Sequence, residues 1–381
     1  MRIAMIGTRG VPARYGGFET AIEEVGRRLA ARGHEVTVYC RPVDGEERPA
    51  VHLGMHLVHL PAMRKRSLET LSHTGLSVLH LLRHRTDVAL VFNAANSPFL
   101  PLVRAARVPV ATHVDGLEWK RGKWGPTGQR YYRTAESLAV RWSDALVADA
   151  QGIADYYTDE FGVPTELIAY GAPRTPARAD HRLAELDLEP GGYHLVVARF
   201  EPENHVREIV EGYVRSEATR PLMLVGSAPY ADEHIASIHA AAGDDPRVRF
   251  LGGLWDQELL DDLYAHALTY LHGHSVGGTN PSLLRAIGAG TATTAFDVSF
   301  NREVLGESGR FFTGPDDVAA RVESAERDPE GTALRGAQAL VEAARYDWDD
   351  VASRYEEMCE RLVGGVLRRP RGRTGRRNGA R

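Results

Sequence analysis

Two stretches of the 381-residue chain carry residue types that can do chemistry. The first is His113-Val-Asp115-Gly-Leu-Glu118-Trp119-Lys120-Arg121-Gly-Lys123-Trp124. It follows the apolar run 109–112, which reads as a buried parallel strand, and open α/β sheets bind ligands at the carboxyl ends of their strands. A histidine, two carboxylates, two indoles and three bases at such a position point to proton transfer and polar recognition more than to packing. The second is His272-Gly-His274-Ser-Val-Gly277-Gly278-Thr279-Asn280-Pro281-Ser282-Leu-Leu-Arg285-Ala286. A strand over 267–271 leads into a glycine loop and then a helix over 281–287. Asn280 suits the N-cap and Pro281 the first helical position, where its missing N–H is no loss. A helix start of this kind offers backbone N–H groups and partial positive charge to an anion. A packing turn is the other reading of the same residues.

The elements that must position these stretches alternate strand and helix. A strand over 2–6, a glycine-rich loop from Gly7 to Gly17, an amphipathic helix over 18–32 and a strand over 35–40 make a βαβ start. The loop is not G-x-G-x-x-G, and the second strand ends Tyr39-Cys40-Arg41 with no acid to hold a dinucleotide ribose. Gly16 and Gly17 let backbone approach a ligand closely, or simply make a turn. A strand or hairpin is expected over 51–60, and strands at 88–92, 143–148 and 165–169. A helix is expected from Arg64-Lys65-Arg66 to about residue 85. Its leucine stripe fits core packing with a solvated face, or a membrane surface. After a hinge at 170–173 and a polar linker, the pattern resumes with strands at 193–198, 222–225, 248–251 and 291–296. Helices are expected from 206, from the Asp256 cap to about 267, and from 346 to about 362. The acid pairs Asp244-Asp245, Asp261-Asp262, Asp316-Asp317 and Asp349-Asp350 read as caps and solvated charge. Domains are placed at 1–172 and 193–345 with a linker over 173–192. A returning helix covers 346–366, and a disordered basic tail 367–381.

Charge is uneven. Residues 1–175 hold 22 Lys and Arg against 18 Asp and Glu, residues 176–366 hold 17 against 33, and the last fifteen hold seven Arg and no acid. The acidic second half argues against nucleic-acid binding; the basic first half suits a phosphate-bearing substrate or an anionic membrane. Cys40 and Cys359 give neither a disulfide framework nor a metal spacing. No apolar run is long enough to span a bilayer, and Met1-Arg2 runs straight into a strand. A cytoplasmic protein, placed at the inner membrane face if the basic helix binds there, is the expectation.

The 272–286 stretch resembles the donor-binding motif of GT-B glycosyltransferases of the family 4 type, nearest a bacterial rhamnosyltransferase-like branch. The GGFET loop, the VDGLEWKR block and the Arg199…Pro202-Glu203 segment resemble other blocks of that family, in the same order. The resemblance implies two Rossmann-like doubly wound domains facing across a cleft, and retaining transfer of a sugar, rhamnose from dTDP-rhamnose in this branch. The acceptor would be a polysaccharide or a lipid-linked glycan. It implies no cofactor and no catalytic metal. Carried over, His113, Asp115 and Glu118 are catalytic. Gly16, Gly17, Arg199, Asn204, Gly253, Leu254, His274, Gly277, Gly278, Thr279, Asn280, Ser282, Arg285 and Glu303 bind the donor. Trp119, Lys120, Arg121 and Trp124 meet the acceptor, with an indole stacked on a sugar face. The chain departs from the pattern at three places. Asn204 replaces a lysine, Gly277 replaces a glutamate, and Arg285 replaces the glutamate that contacts the ribose. Arg285 is expected to reach back to the diphosphate and make up for Asn204. A non-catalytic nucleotide-sugar binder and a nucleotide-sugar epimerase are the alternatives.

Overall fold

The computed structural model describes residues 1–368 and 376 apart from 14–15, 44, 46, 64–67, 115, 123, 175–179 and 227–231. The chain divides into two compact units, Met1–Tyr170 with Trp348–Arg381, and Gly171–Asp347. Asp115 and Arg64-Lys65-Arg66, singled out above, lie outside the described residues.

The first unit runs β1 (Arg2–Ile6), α1 (Gly17–Ala31), β2 (Glu35–Cys40), β3 (Val51–His52), β4 (Met55–His59), α2 (Glu69–Arg83), β5 (Val88–Phe92), α3 (Leu100–Ala105), β6 (Val110–His113), α4 (Pro126–Trp142), β7 (Ala145–Ala148), α5 (Gln151–Phe161) and β8 (Glu166–Leu167). Its sheet has the order β3-β4-β2-β1-β5-β6-β7-β8, parallel except for the β3–β4 hairpin. Helices on both faces explain why β5, Val-Ala-Leu-Val-Phe, is buried at every position. One core cluster joins Ala4, Ile6, Ala89 and Val91 of the sheet to Val78, Leu81, Leu100 and Val103 of the helices.

The second unit runs β9 (His194–Val197), α6 (Val206–Arg215), β10 (Leu222–Val225), α7 (Asp232–Ala242), β11 (Val248–Gly252), α8 (Gln257–His266), β12 (Thr269–His272), α9 (Pro281–Gly288), β13 (Thr293–Phe296), α10 (Ser299–Leu305), β14 (Arg310–Phe312), α11 (Pro315–Arg327) and α12 (Pro329–Ala343). Its all-parallel sheet has the order β11-β10-β9-β12-β13-β14. Strand order reverses between β1 and β5 in the first unit and between β9 and β12 in the second. Ligands of doubly wound folds sit at such reversals.

α13 (Trp348–Val363) belongs to the first unit although it follows the second in sequence. Trp348, Val351, Ala352, Tyr355, Met358, Cys359 and Leu362 are buried along it at helical spacing. Burying large apolar side chains contributes roughly 1.5–3 kcal/mol each. The ion pairs Arg28–Asp349 (2.6 Å) and Arg32–Glu356 (2.7 Å) are half-exposed additions of smaller effect.

Candidate active site

In the first unit the loop after β1 lies at the reversal point. It is held by α1 and by the segment after β5. The Glu19 carboxylate accepts from the Arg9 N–H (3.1 Å), the Glu23 carboxylate from the Ala13 N–H (2.8 Å), and the Asn96 amide donates to the Gly7 carbonyl (3.1 Å). Gly16 is extended and caps α1, which begins at Gly17. The next residue, Phe18, meets the ring of His113 edge-on at 5.1 Å, so the structure brings the Gly16-Gly17 loop and His113 together.

His113 ends β6 and is 2% exposed. Its Nδ1 lies 2.8 Å from the Tyr355 hydroxyl of α13, and its Nε2 has no hydrogen-bond partner among the described residues. Burial alone pushes its pKa down to about 3, so the ring is neutral. The Tyr355 hydroxyl is buried, has no other acceptor among the described residues and stays protonated, its pKa raised well above 10. Its proton therefore goes to His113 Nδ1, which leaves Nε2 carrying the ring N–H. The result is a fixed neutral imidazole with an unused donor, at the carboxyl edge of the sheet. Tyr355 has no signal in the sequence that connects it with residue 113; only the return of α13 does so.

The residues after Asp115 take a different form from the expectation. Glu118 and Arg121 are both buried and paired with one another (2.5 Å), and the Trp124 indole donates to Glu118 (3.1 Å). Trp124 also packs on Tyr132 with centroids 5.0 Å apart. Glu118 is thus a partner for Arg121 and Trp124, not an open carboxylate, and Arg121 is not a free cation for an acceptor. Trp119 lies under the guanidinium of Arg133 (5.1 Å) and the ammonium of Lys120 (5.5 Å), and Lys120 is exposed.

In the second unit Asn280 caps α9 as expected, accepting from the Ser282 N–H (2.9 Å). That bond uses one of the first-turn N–H groups, Pro281 has none, and Leu284 already donates to the Asn280 carbonyl (3.0 Å). At its start the helix therefore offers the Leu283 N–H and its dipole. Gly277 has φ 152°, and a Cβ there would press on His274 Nε2 at 2.8 Å. A Cβ on Gly273 would overlap the Asn204 carbonyl. Both glycines are fixed by close approach.

Asn204 binds across the reversal point. Its amide donates to the Arg199 carbonyl (2.7 Å) after β9, and its Oδ1 lies 2.8 Å from His274 Nδ1 after β12. Because Asn204 Oδ1 only accepts, His274 carries its proton on Nδ1 and presents Nε2 as an acceptor. Ser275 N–H and the Ser275 hydroxyl both reach the Glu203 carbonyl (2.9 and 3.0 Å), and the Asn301 amide donates to the His274 carbonyl (2.9 Å). Asn204 is thus a bracket between two loops. The guanidinium of Arg199, 40% exposed and 3.6 Å from Glu201, is the available cation beside them. Gly253 and Leu254 follow β11, with Gly253 exposed and Leu254 half-buried. Glu303, in α10, accepts at its carbonyl from Arg345 (2.8 Å).

Arg285 does not reach back along α9. Its Nε lies 2.8 Å and its NH2 2.6 Å from Asp261 Oδ1, and its NH1 donates to the Gln257 side chain (2.9 Å). Asp261 and Asp262 lie inside α8, not in a cap, and Asp261 is the partner that draws Arg285 sideways. Arg376 pairs with Glu136 (2.8 Å) and Glu160 (3.1 Å) of the first unit. Among the described residues no group of three His, Cys, Asp or Glu could hold a metal ion. No helix of the described residues is long and apolar enough to cross a membrane.

Two parallel-sheet α/β units of these strand orders define the GT-B class of fold. Residues 16–171 match the family model described as Glycosyl transferase 4-like domain. An O-antigen chain mannosyltransferase B of Escherichia coli is 25% identical over 185 residues, which covers 47% of this chain and 48% of that protein. The chain therefore spans about half the length of the curated relative it matches. Sucrose-phosphate synthase from Thermosynechococcus elongatus superposes with a TM-score of 0.81 at 17% identity, over 96% of this chain and 99% of that one. Anabaena HepE in complex with UDP superposes with a TM-score of 0.76 at 15% identity, over 94% and 100%. At these identities the likeness is one of fold.

Proposed function

We propose that the chain is a glycosyltransferase that moves a sugar from a nucleoside diphosphate donor to a glycan or lipid-linked acceptor, with retention at the donor carbon. The observation that carries this reading is the pair of built features at carboxyl strand edges. One is the anion-seeking start of α9, bracketed by Asn204 and His274; the other is the neutral His113 with an unpartnered Nε2–H. The loop at 277–279, the Leu283 N–H and Arg199 stabilise the charge that grows on the leaving diphosphate. His113 Nε2–H donates to a hydroxyl of the transferred sugar and orients it. Gly253 and Leu254 line the base, and Glu303 and the Gly16-Gly17 loop complete the donor's surroundings. Trp119, Lys120 and Trp124 face the acceptor. No metal or cofactor is part of this scheme, and the location is the cytoplasmic side of a membrane.

The UDP complex of HepE and the mannosyltransferase relative support a nucleotide-sugar donor. The choice of rhamnose rests on the motif resemblance. The test is calorimetric binding of dTDP-rhamnose, UDP-glucose and GDP-mannose, followed by transfer assays with the donor that binds. His113→Ala should fold, keep donor binding and lose about a hundredfold or more in transfer, the scale of one positioned group. Near-normal transfer by the folded variant removes His113 from the mechanism. A second reading, binding without transfer, is favoured by one observation. Arg285 is committed to Asp261 at the position where the resemblance implies a ribose-binding glutamate. Tight donor binding with neither transfer nor donor hydrolysis would establish it.

A further inference from the structure

The second unit carries a pocket of about 120 Å³ at the edge of its sheet opposite the loops just described. Its floor is formed where strands begin. Thr269 opens β12, Thr293 opens β13 and Arg310 opens β14, while the donor-side loops leave the other ends of β12 and β13. Three steps of about 3.3 Å along β12 separate Thr269 from His272. The walls come from α11 and α12, with Arg321, Ser324 and Ala325 from the first and Arg335 from the second.

Three guanidinium groups therefore line one small pocket, and none of them forms an ion pair with a carboxylate among the described residues. Arg310 donates to the Gly309 carbonyl (3.0 Å), Arg321 to the Phe311 carbonyl (3.3 Å) and Arg335 to the Thr332 hydroxyl (2.7 Å). This is unusual in a chain whose other arginines mostly find acids, and in the half of it that carries 33 acids against 17 bases. Arg335, half-buried, feels its neighbours directly. Burial first, then the charge of Arg310, hold its pKa below the usual value; Asp328 pulls the other way, and Arg321 adds a smaller push down. Like charges gathered without a counter-charge cost stability unless something supplies one. Thr294 and Ser324 also line the pocket. Thr269 and Thr293 are engaged, with His194 Nδ1 (2.7 Å) and the Thr291 carbonyl (3.0 Å).

We propose that this pocket binds a phosphate-sized tetrahedral dianion, either inorganic phosphate or the phosphoryl group of a small monoester. Guanidinium forks and hydroxyl donors match the geometry of such an anion. The space, about four water volumes, suits a single phosphoryl group and excludes a nucleotide. The site is distinct from the donor site and independent of the reading given above for it.

The test uses the full chain exchanged into a phosphate- and sulfate-free buffer. Inorganic phosphate, glycerol phosphate and vesicles of anionic phospholipid are titrated separately, with sodium chloride at matched ionic strength as the control. The expected result is a saturable rise in melting temperature with the two small anions, beyond the chloride control. The double variant Arg310→Gln/Arg321→Gln alters exposed side chains and should fold. It should weaken the phosphate response at least tenfold and leave nucleotide-sugar binding unchanged. Arg335→Gln should do the same, and should melt no lower than the parent in anion-free buffer. No saturable phosphate response in the parent would overturn the proposal. So would an undiminished response in the double variant, or binding to vesicles without a response to phosphate.

Discussion

Replacing Arg285 separates a ligand-binding arginine from a structural one. Its guanidinium and the Asp261 carboxylate are 20% and 18% exposed, with N–O distances of 2.8 and 2.6 Å and a further bond to Gln257. A hydrogen bond to a charged group contributes about 1.5–3 kcal/mol net, and the remaining solvent contact discounts it toward the lower end. Arg285→Gln should therefore cost roughly 1–2 kcal/mol. Arg285→Glu sets a second carboxylate beside Asp261. At about 4 Å and an effective dielectric near 20 the repulsion is about 4 kcal/mol before the side chains swing apart, so a total loss of roughly 3–5 kcal/mol is expected. A unit of this size loses about 2–4 °C per kcal/mol, which gives roughly 2–8 °C for the first variant and 6–20 °C for the second. Scanning calorimetry of the unliganded proteins reads these shifts. Calorimetric titration with the nucleoside diphosphate, at a temperature where all are folded, reads binding. The Gln variant is expected to bind within about threefold of the parent, and Asp261→Asn in its background should recover part of the lost stability. An unchanged melting temperature with binding at least tenfold weaker would refute the structural account and return Arg285 to the phosphates.

Tyr355→Phe keeps the ring and removes the hydroxyl that His113 Nδ1 bonds among the described residues. A stability loss of about 1–3 kcal/mol is expected, with a drop in kcat larger than any change in donor affinity; an unchanged kcat would show that the hydroxyl does not set the tautomer. Buried His73, His113 and His272 have pKa values lowered by burial to about 4, 3 and 3, while the unfolded chain takes up their protons near 6.5. Their contribution to stability is whole above about pH 6.5 and is lost as the pH falls toward 3–4, at up to about 1.4 kcal/mol per group per pH unit. Urea midpoints should fall from pH 6.5 to 5, less steeply in His73→Leu, and a flat profile would contradict the assignment. Asn204→Lys, which restores a cation, breaks the Arg199–His274 bracket and is expected to weaken donor binding; tighter binding would mean that the charge matters more than the bracket. α2 exposes Leu76 and Leu79 beside Arg83, so flotation with anionic liposomes at low salt, lost at high salt, is expected from a chain truncated before its arginine tail.

Period and punctuation made much of this fold legible. β2, β5 and β10 fall on the expected residues, and so does the start of α9. Alternation or unbroken apolar runs, with Asn-Pro at the helix start, leave few options there. Polar helices were harder. α4, α11 and α12 are amphipathic but rich in charge. At the site, residue types marked His113, Asn280 and Gly277. Partners across the fold did not show. Nothing near Glu118 says that Arg121 rather than a sugar will meet it, and nothing near Arg285 names Asp261, 24 residues earlier. The identity of a charged residue's partner is a tertiary fact, set by packing of helices whose spacing in sequence is arbitrary.

The late position of α13 has a consequence for biosynthesis. The first unit is built from two pieces of chain, and the whole of the second unit is translated between them. At about 5–20 residues per second that interval lasts roughly 10–40 s. During it the apolar seat of Trp348, Tyr355, Met358 and Leu362 is uncovered, a natural docking place for a chaperone. His113 lacks its hydroxyl partner for the same time. The first unit therefore completes its own fold, His113–Tyr355 pair included, only after the whole second unit has been made.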